Sequence, residues 1–180
     1  MQPGQGLDAS GRKTARVQIS VSPNADFREI MRELDMITLP RTRVSHHNIR
    51  YAILELLNNS IRAHKERGET REISVVVSLA DGWLSVSIRD YGGGFDPRKL
   101  PYELTADPRT LDLHSAPFEE YQRKNGYKRF GMGIYVAKKT FDRFTVAFLD
   151  EHERPLEWQA GKVAGTLISF STPAEAADGK

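Results

Sequence analysis

At 180 residues with 39% hydrophobic content, the chain is long enough for one well-buried core and short for two. It has no cysteine, which excludes disulfides, thiolate metal sites and a cysteine nucleophile, so any catalysis must use other groups. Lys and Arg number 26 against 24 Asp and Glu, too even a balance to indicate a nucleic-acid partner. No run of 18 apolar residues offers a membrane span, and the first residues lack the basic and apolar regions of a signal peptide. A soluble, cytoplasmic protein with no membrane partner is therefore expected.

Residues 1–14 are polar and aperiodic and read as a disordered tail. Over residues 15–22 the alternation of Val17, Ile19 and Val21 predicts a strand with one buried face. The period then changes: Asn24 is a candidate cap for a helix whose Phe27, Ile30, Met31, Leu34 and Ile37 form an apolar stripe, ended by Pro40. Ser45 is the expected N-cap of a longer helix running to about Arg67, where Gly68 stops it. Ile49, Ile53, Leu56, Leu57 and Ile61 form its core-facing stripe. Glu55 and Asn59, four apart, share another face. A carboxylate one turn before a carboxamide can poise a hydroxyl and hold a hard cation through oxygen, although a solvated helix face carries the same pair by default. His46 and His47 point about 100° apart and read as surface residues. His64 is placed on the wet side, near the helix end, where the dipole favours a partly charged ring.

Residues 72–79 and 83–89 alternate on either side of Asp81-Gly82, a strong hairpin signal. The second strand ends in Asp90-Tyr91-Gly92-Gly93-Gly94. By default this is a flexible turn; functionally, it is a backbone thin enough for a planar base, with Asp90 as acceptor for an exocyclic amine. Residues 97–128 have no sustained period and scattered prolines, the pattern of a lid with partial helix. The lid ends in a cationic run, and Gly131-Met132-Gly133 opens a third helix whose free amides can face phosphate oxygens. Strands are expected over 144–149 and 165–170, with a short one between them, and residues 173–180 form a second tail.

The order E-x-x-x-N on a helix, D-x-G-x-G after a hairpin, G-x-G opening a helix and Gly165-Thr166 on a late strand resembles the fold shared by DNA gyrase, the ninety-kilodalton heat-shock chaperone, histidine kinases and mismatch-repair ATPases. This is the GHKL, or Bergerat, group of histidine kinase-like ATPases. The resemblance covers residues 15–172 and is nearest to the anti-sigma factor serine/threonine kinases. It rests on the strand and helix ahead of the long helix, on Asn59-Ser-Ile-Arg-Ala-His64, and on Arg129-Phe130-Gly131-Met132-Gly133-Ile134. It implies ATP and Mg²⁺ as cofactors. Asn59 would hold Mg²⁺ and Glu55 would be the general base. Asp90 would read the adenine amine, with Gly92 and Gly94 admitting the ring and Thr166 supporting that contact. Gly131, Met132 and Gly133 would face the phosphates, with Arg129 and Lys128 neutralising charge.

The implied architecture is an α/β (α+β) two-layer sandwich: a mixed, mostly antiparallel sheet with helices on one face and an ATP lid. Residues 15–22 are expected near an edge, compatible with a homodimer. The implied function is an ATP-dependent serine kinase that also binds a sigma factor and phosphorylates an anti-anti-sigma factor. A histidine kinase catalytic module is one alternative, although the 44 residues ahead of the long helix read as strand and short helix rather than as a dimerisation helix with a phospho-acceptor histidine. A nucleotide-sensing module without chemistry is the other.

Overall fold

The computed structural model describes residues 4–7, 13–112, 114–124 and 132–175. Among these, seven strands form one sheet in the order β1-β2-β3-β4-β7-β5-β6. They are β1 (Gly4–Leu7), β2 (Lys13–Val21), β3 (Ile73–Ala80), β4 (Trp83–Asp90), β5 (Arg143–Leu149), β6 (Pro155–Leu156) and β7 (Gly165–Pro173), and every pairing is antiparallel. Helices α1 (Phe27–Asp35), α2 (His46–Arg67) and α4 (Met132–Thr140) pack on one face. This is the expected two-layer sandwich. The N-terminal boundary differs from expectation. Gly4–Leu7, read as tail, pairs with β2, so β2 has neighbours on both sides rather than an edge.

Local chemistry accounts for the elements. The β3–β4 turn places Asp81 at φ 51° and Gly82 at φ 76°, the pair of left-handed residues that a two-residue hairpin requires. Ser45 caps α2 by accepting the Asn48 N–H, and Gly68 ends it at φ 67°. α1 is capped by Asp26, which accepts the Glu29 N–H, rather than by Asn24, whose N–H is taken by Ser22 Oγ in the preceding turn.

The alternation of β4 decides where the functional groups fall. Leu84, Val86 and Ile88 face the helices and Ser85, Ser87 and Arg89 face away, so the next buried position is Asp90. Below it the core joins Ile49, Ile53, Leu56 and Leu57 of α2 to Val75, Val86, Ile88, Ile168 and Phe170 of the sheet. Each such side chain contributes about 1.5–3 kcal/mol on burial, so the register of α2 on the sheet is firmly held.

The segment after β4 is a lid with its own structure: short 3-10 turns at Pro97–Lys99 and Pro108–Thr110, then α3 (Ala116–Lys124). Its apolar residues make a second small core, in which Tyr102 and Phe118 meet Tyr135 of α4. The Tyr102 and Tyr135 rings lie edge to face with centroids 6.0 Å apart. Lys138, two residues from the end of α4, donates to the carbonyls of Leu104 and Ala106. The lid is therefore strapped to the helix whose first turn opens on the site.

Replacing Lys138 by Met leaves two carbonyls without their cationic donor, a loss of about 1.5–3 kcal/mol. Tryptic cleavage at Arg98, Lys99 or Arg109 is expected to be about tenfold faster in Lys138→Met, with the fold retained by circular dichroism. Unchanged cleavage would show that the strap does not hold the lid.

Candidate functional site

Asp90 is 5% exposed and lies where α2, β4 and β7 meet. Three donors converge on its carboxyl. Ser60 Oγ of α2 donates to Oδ2 at 3.1 Å, Thr166 Oγ1 of β7 donates to the same oxygen, and the Gly92 N–H donates to Oδ1 at 2.8 Å. Thr166 reaches it because Asp90 and Thr166 are directly opposite in the β4–β7 register. Oδ2 thus has both lone pairs used, while Oδ1 keeps one for a further donor.

Asp90 lies in the wall of a cavity of 140 Å³, roughly ten times the space one water needs. Leu56, Phe95, Leu100, Ile134 and Ile168 supply apolar walls. Asn59, Arg62, Glu66 and Arg67 bring polar groups from α2. An apolar wall with a buried carboxyl in it can take a partly apolar ligand that offers a hydrogen-bond donor.

Gly92 and Gly94 border the cavity and are also closely packed against protein. A Cβ on Gly92 would lie 2.5 Å from the Ala63 Cβ, and one on Gly94 would lie 2.7 Å from Val163 Cγ1. Both would strike protein, so these glycines let the loop pack against α2 and the segment before β7. Gly165 has the tightest constraint, since a Cβ there would fall 1.9 Å from the Asp90 carbonyl oxygen. Close β4–β7 approach at this point needs glycine.

At the other end of the cavity, Gly133 in the first turn of α4 sits over α2. A Cβ on it would be 3.0 Å from the Glu55 Cβ and 3.3 Å from Asn59 Nδ2. The residues predicted from two separate motifs are thus in contact. Glu55 is half-buried and, among the described residues, has no hydrogen-bond or ion-pair partner. Asn59 Oδ1 accepts from Arg62 Nη2 at 2.9 Å. Burial pushes the Tyr121 hydroxyl of α3 up to about 12, with the nearby Arg62 guanidinium opposing the shift. Lys128, Arg129 and Gly131 lie outside the described residues, as does the side chain of Met132, whose backbone begins α4.

Three residues of α2 were not recognised from sequence. Ser60 orients Asp90 and Arg62 occupies Asn59. His64 was assigned to the wet side, yet it is fully buried, and its Nε2 accepts the Tyr91 N–H at 2.8 Å. The signal was present in the periodicity: Ile53, Leu57, Ser60 and His64 continue one stripe, and polar residues at core positions ask for partners. Glu153, across from this turn, is held by Tyr91 Oη and Arg89.

Among the described residues no group of three or more His, Asp or Glu gathers as a metal cage, and no helix is long and apolar enough to cross a membrane. No curated protein matches the chain. Residues 45–176, from the N-cap of α2 to beyond the end of β7, match the family of histidine kinase-, DNA gyrase B- and HSP90-like ATPases. That match spans both ends of the cavity described above, and the chain belongs to this family of ATP-binding modules.

Proposed function

We propose that the protein is an ATP-dependent serine/threonine protein kinase of the anti-sigma type, which controls transcription by switching between a sigma factor and an anti-anti-sigma partner. The observation that supports the nucleotide reading is the buried Asp90, whose Oδ1 has an acceptor position to spare, in the wall of a cavity that Asn59 and Ile134 also line, with Glu55 and Gly133 packed beside Asn59. Adenine lies against Leu56, Ile134 and Ile168 and donates its exocyclic N–H to Asp90 Oδ1. The triphosphate extends toward Gly133, where the unpaired amides and dipole of α4 favour negative charge.

The donors near the phosphates suit magnesium, which takes few protein oxygens and completes its shell with water and phosphate. Asn59 Oδ1 would hold the ion, with Arg62 released from that oxygen; the bound ion supplies charge neutralisation between the phosphates. Glu55 takes the proton from the acceptor hydroxyl as its oxygen bonds to the γ-phosphorus and the bond to the bridging oxygen of ADP breaks. Its half-buried carboxylate, with no partner among the described residues, is available for that role. Arg62, with Lys128 and Arg129, supplies cations to the equatorial oxygens. The β2 and α1 elements ahead of α2 support the anti-sigma branch, as does the strand-helix order they give.

Two substitutions separate binding from transfer. Glu55→Ala should lower phosphoryl transfer from labelled ATP to a partner serine or threonine by about 10²–10⁴-fold while the Kd for ATP changes little. Transfer that survives would remove Glu55 as the base, and binding without transfer in the wild type would leave a nucleotide-sensing module. Asp90→Asn should weaken ATP by roughly 10–100-fold, because the single NH2 of the amide must face either the Ser60 and Thr166 hydroxyls or the Gly92 N–H and the adenine amine, whereas exposed Glu29→Gln should leave it unchanged. Equal ATP affinities in the two variants would contradict the adenine assignment.

A further inference from the structure

The three peptides after Asp90 are each held by a different group. The Tyr91 N–H goes to His64 Nε2 at 2.8 Å, the Gly92 N–H to Asp90 Oδ1 at 2.8 Å, and the Gly93 N–H to the Ala164 carbonyl at 2.9 Å. Two of these anchors belong to the strands and their exits. Of these three anchors only His64 belongs to α2, which also reaches Asp90 itself through Ser60. His64 acts from inside the protein, outside the lining of the cavity.

We propose that His64 is a positioning residue for nucleotide binding: as a neutral imidazole accepting the Tyr91 N–H, it holds the Asp90–Gly92 loop in the shape that presents Oδ1 to the cavity. The inference rests on the nucleotide reading given above. An acceptor at Nε2 places the ring proton on Nδ1, and protonating Nε2 replaces the bond with two N–H groups facing each other. Nδ1 is buried without a hydrogen-bond partner among the described residues.

The surroundings pull in both directions. Burial holds the His64 pKa below the ordinary histidine value. The carboxylates of Asp90 from β4 and Glu69 from the segment after α2 oppose that shift, as does the Arg71 main chain, while the Arg71 guanidinium reinforces it. From the same side, the Tyr91 ring lies tilted to the imidazole at 6.5 Å, and Arg71 covers the ring's face at 4.0 Å. The folded protein thus binds fewer protons at His64 than the unfolded chain. Stability from this group is complete above about pH 6.5 and is lost as the pH falls through and below that value. A nucleotide that requires the ordered loop shares the dependence, and by reciprocity its binding lowers the His64 pKa further.

The test compares ADP affinity by calorimetry from pH 8 to pH 5 in wild type, His64→Gln and His64→Leu. The ionisation of ADP itself is common to all three. Gln places a non-titrating acceptor at the reach of Nε2, so His64→Gln should match wild type within about threefold at pH 8 and exceed it by at least about threefold at pH 5. His64→Leu should bind about tenfold more weakly at pH 8, and its profile should parallel that of Gln. In the folded wild type, the His64 ring resonance should titrate at lower pH with ADP bound than without. Parallel profiles in wild type and His64→Gln, or a ring titration that ADP does not move, would overturn the positioning role while leaving the nucleotide site intact. ADP that fails to bind wild type at any pH would instead overturn the nucleotide reading itself. His64→Gln keeps the comparison decisive if the leucine variant does not fold.

Discussion

The site depends on one buried carboxyl group that accepts hydrogen bonds from three separate parts of the chain. Ser60 binds Asp90 from α2, Thr166 from β7, and Gly92 from the loop that Asp90 itself begins. Burying a carboxyl without such partners costs several kcal/mol. The same three bonds that offset this cost also fix its orientation. They make the meeting point of helix layer and sheet a rigid base for the cavity, and they leave one acceptor position unused.

Around that fixed point, the structure divides labour between a firm half and a strapped half. The firm half is α2 on the antiparallel sheet, where Leu56 and Leu57 are fully buried and Gly165 admits the β4 backbone at close range. The strapped half is the lid, whose Tyr102 and Phe118 pack on Tyr135 and whose carbonyls are held by Lys138. Because α4 carries both Lys138 and the Gly133 turn, any group that moves the start of α4 also pulls on the lid. This helix thus joins the cavity, which Ile134 lines, to the lid that Lys138 holds.

Much of this was legible in the residues. The Asp81-Gly82 hairpin and the Ser45 and Gly68 limits of α2 follow from strong local signals with one physical reading each, whereas the meeting of Thr166 with Asp90 was implied by the family resemblance alone. What sequence obscured was the fate of polar groups in apolar stripes. His64 looks like a helix-end residue by composition but falls on the buried face by period, and tertiary burial outweighs the dipole that favours charge there. Ser60 and Arg62 adjoin Asn59 in sequence, yet their partners are set by the fold or by one helical turn. The packing of the glycines in the Asp90 loop was not legible, since steric demands from Ala63 and Val163 cannot be seen before the chain is packed. The Gly4–Leu7 strand was missed because a short polar edge strand has no periodicity to read.

The central claim is that Asp90 selects a ligand by an exocyclic amine. It is tested most directly by titrating the protein in magnesium with ATP and with inosine triphosphate, which differ in carrying an amine or a carbonyl at the position facing Oδ1. The account predicts that ATP binds and that inosine triphosphate binds at least about tenfold more weakly, because its carbonyl meets an acceptor already fixed in place. Equal affinities, or no binding of ATP, would contradict it.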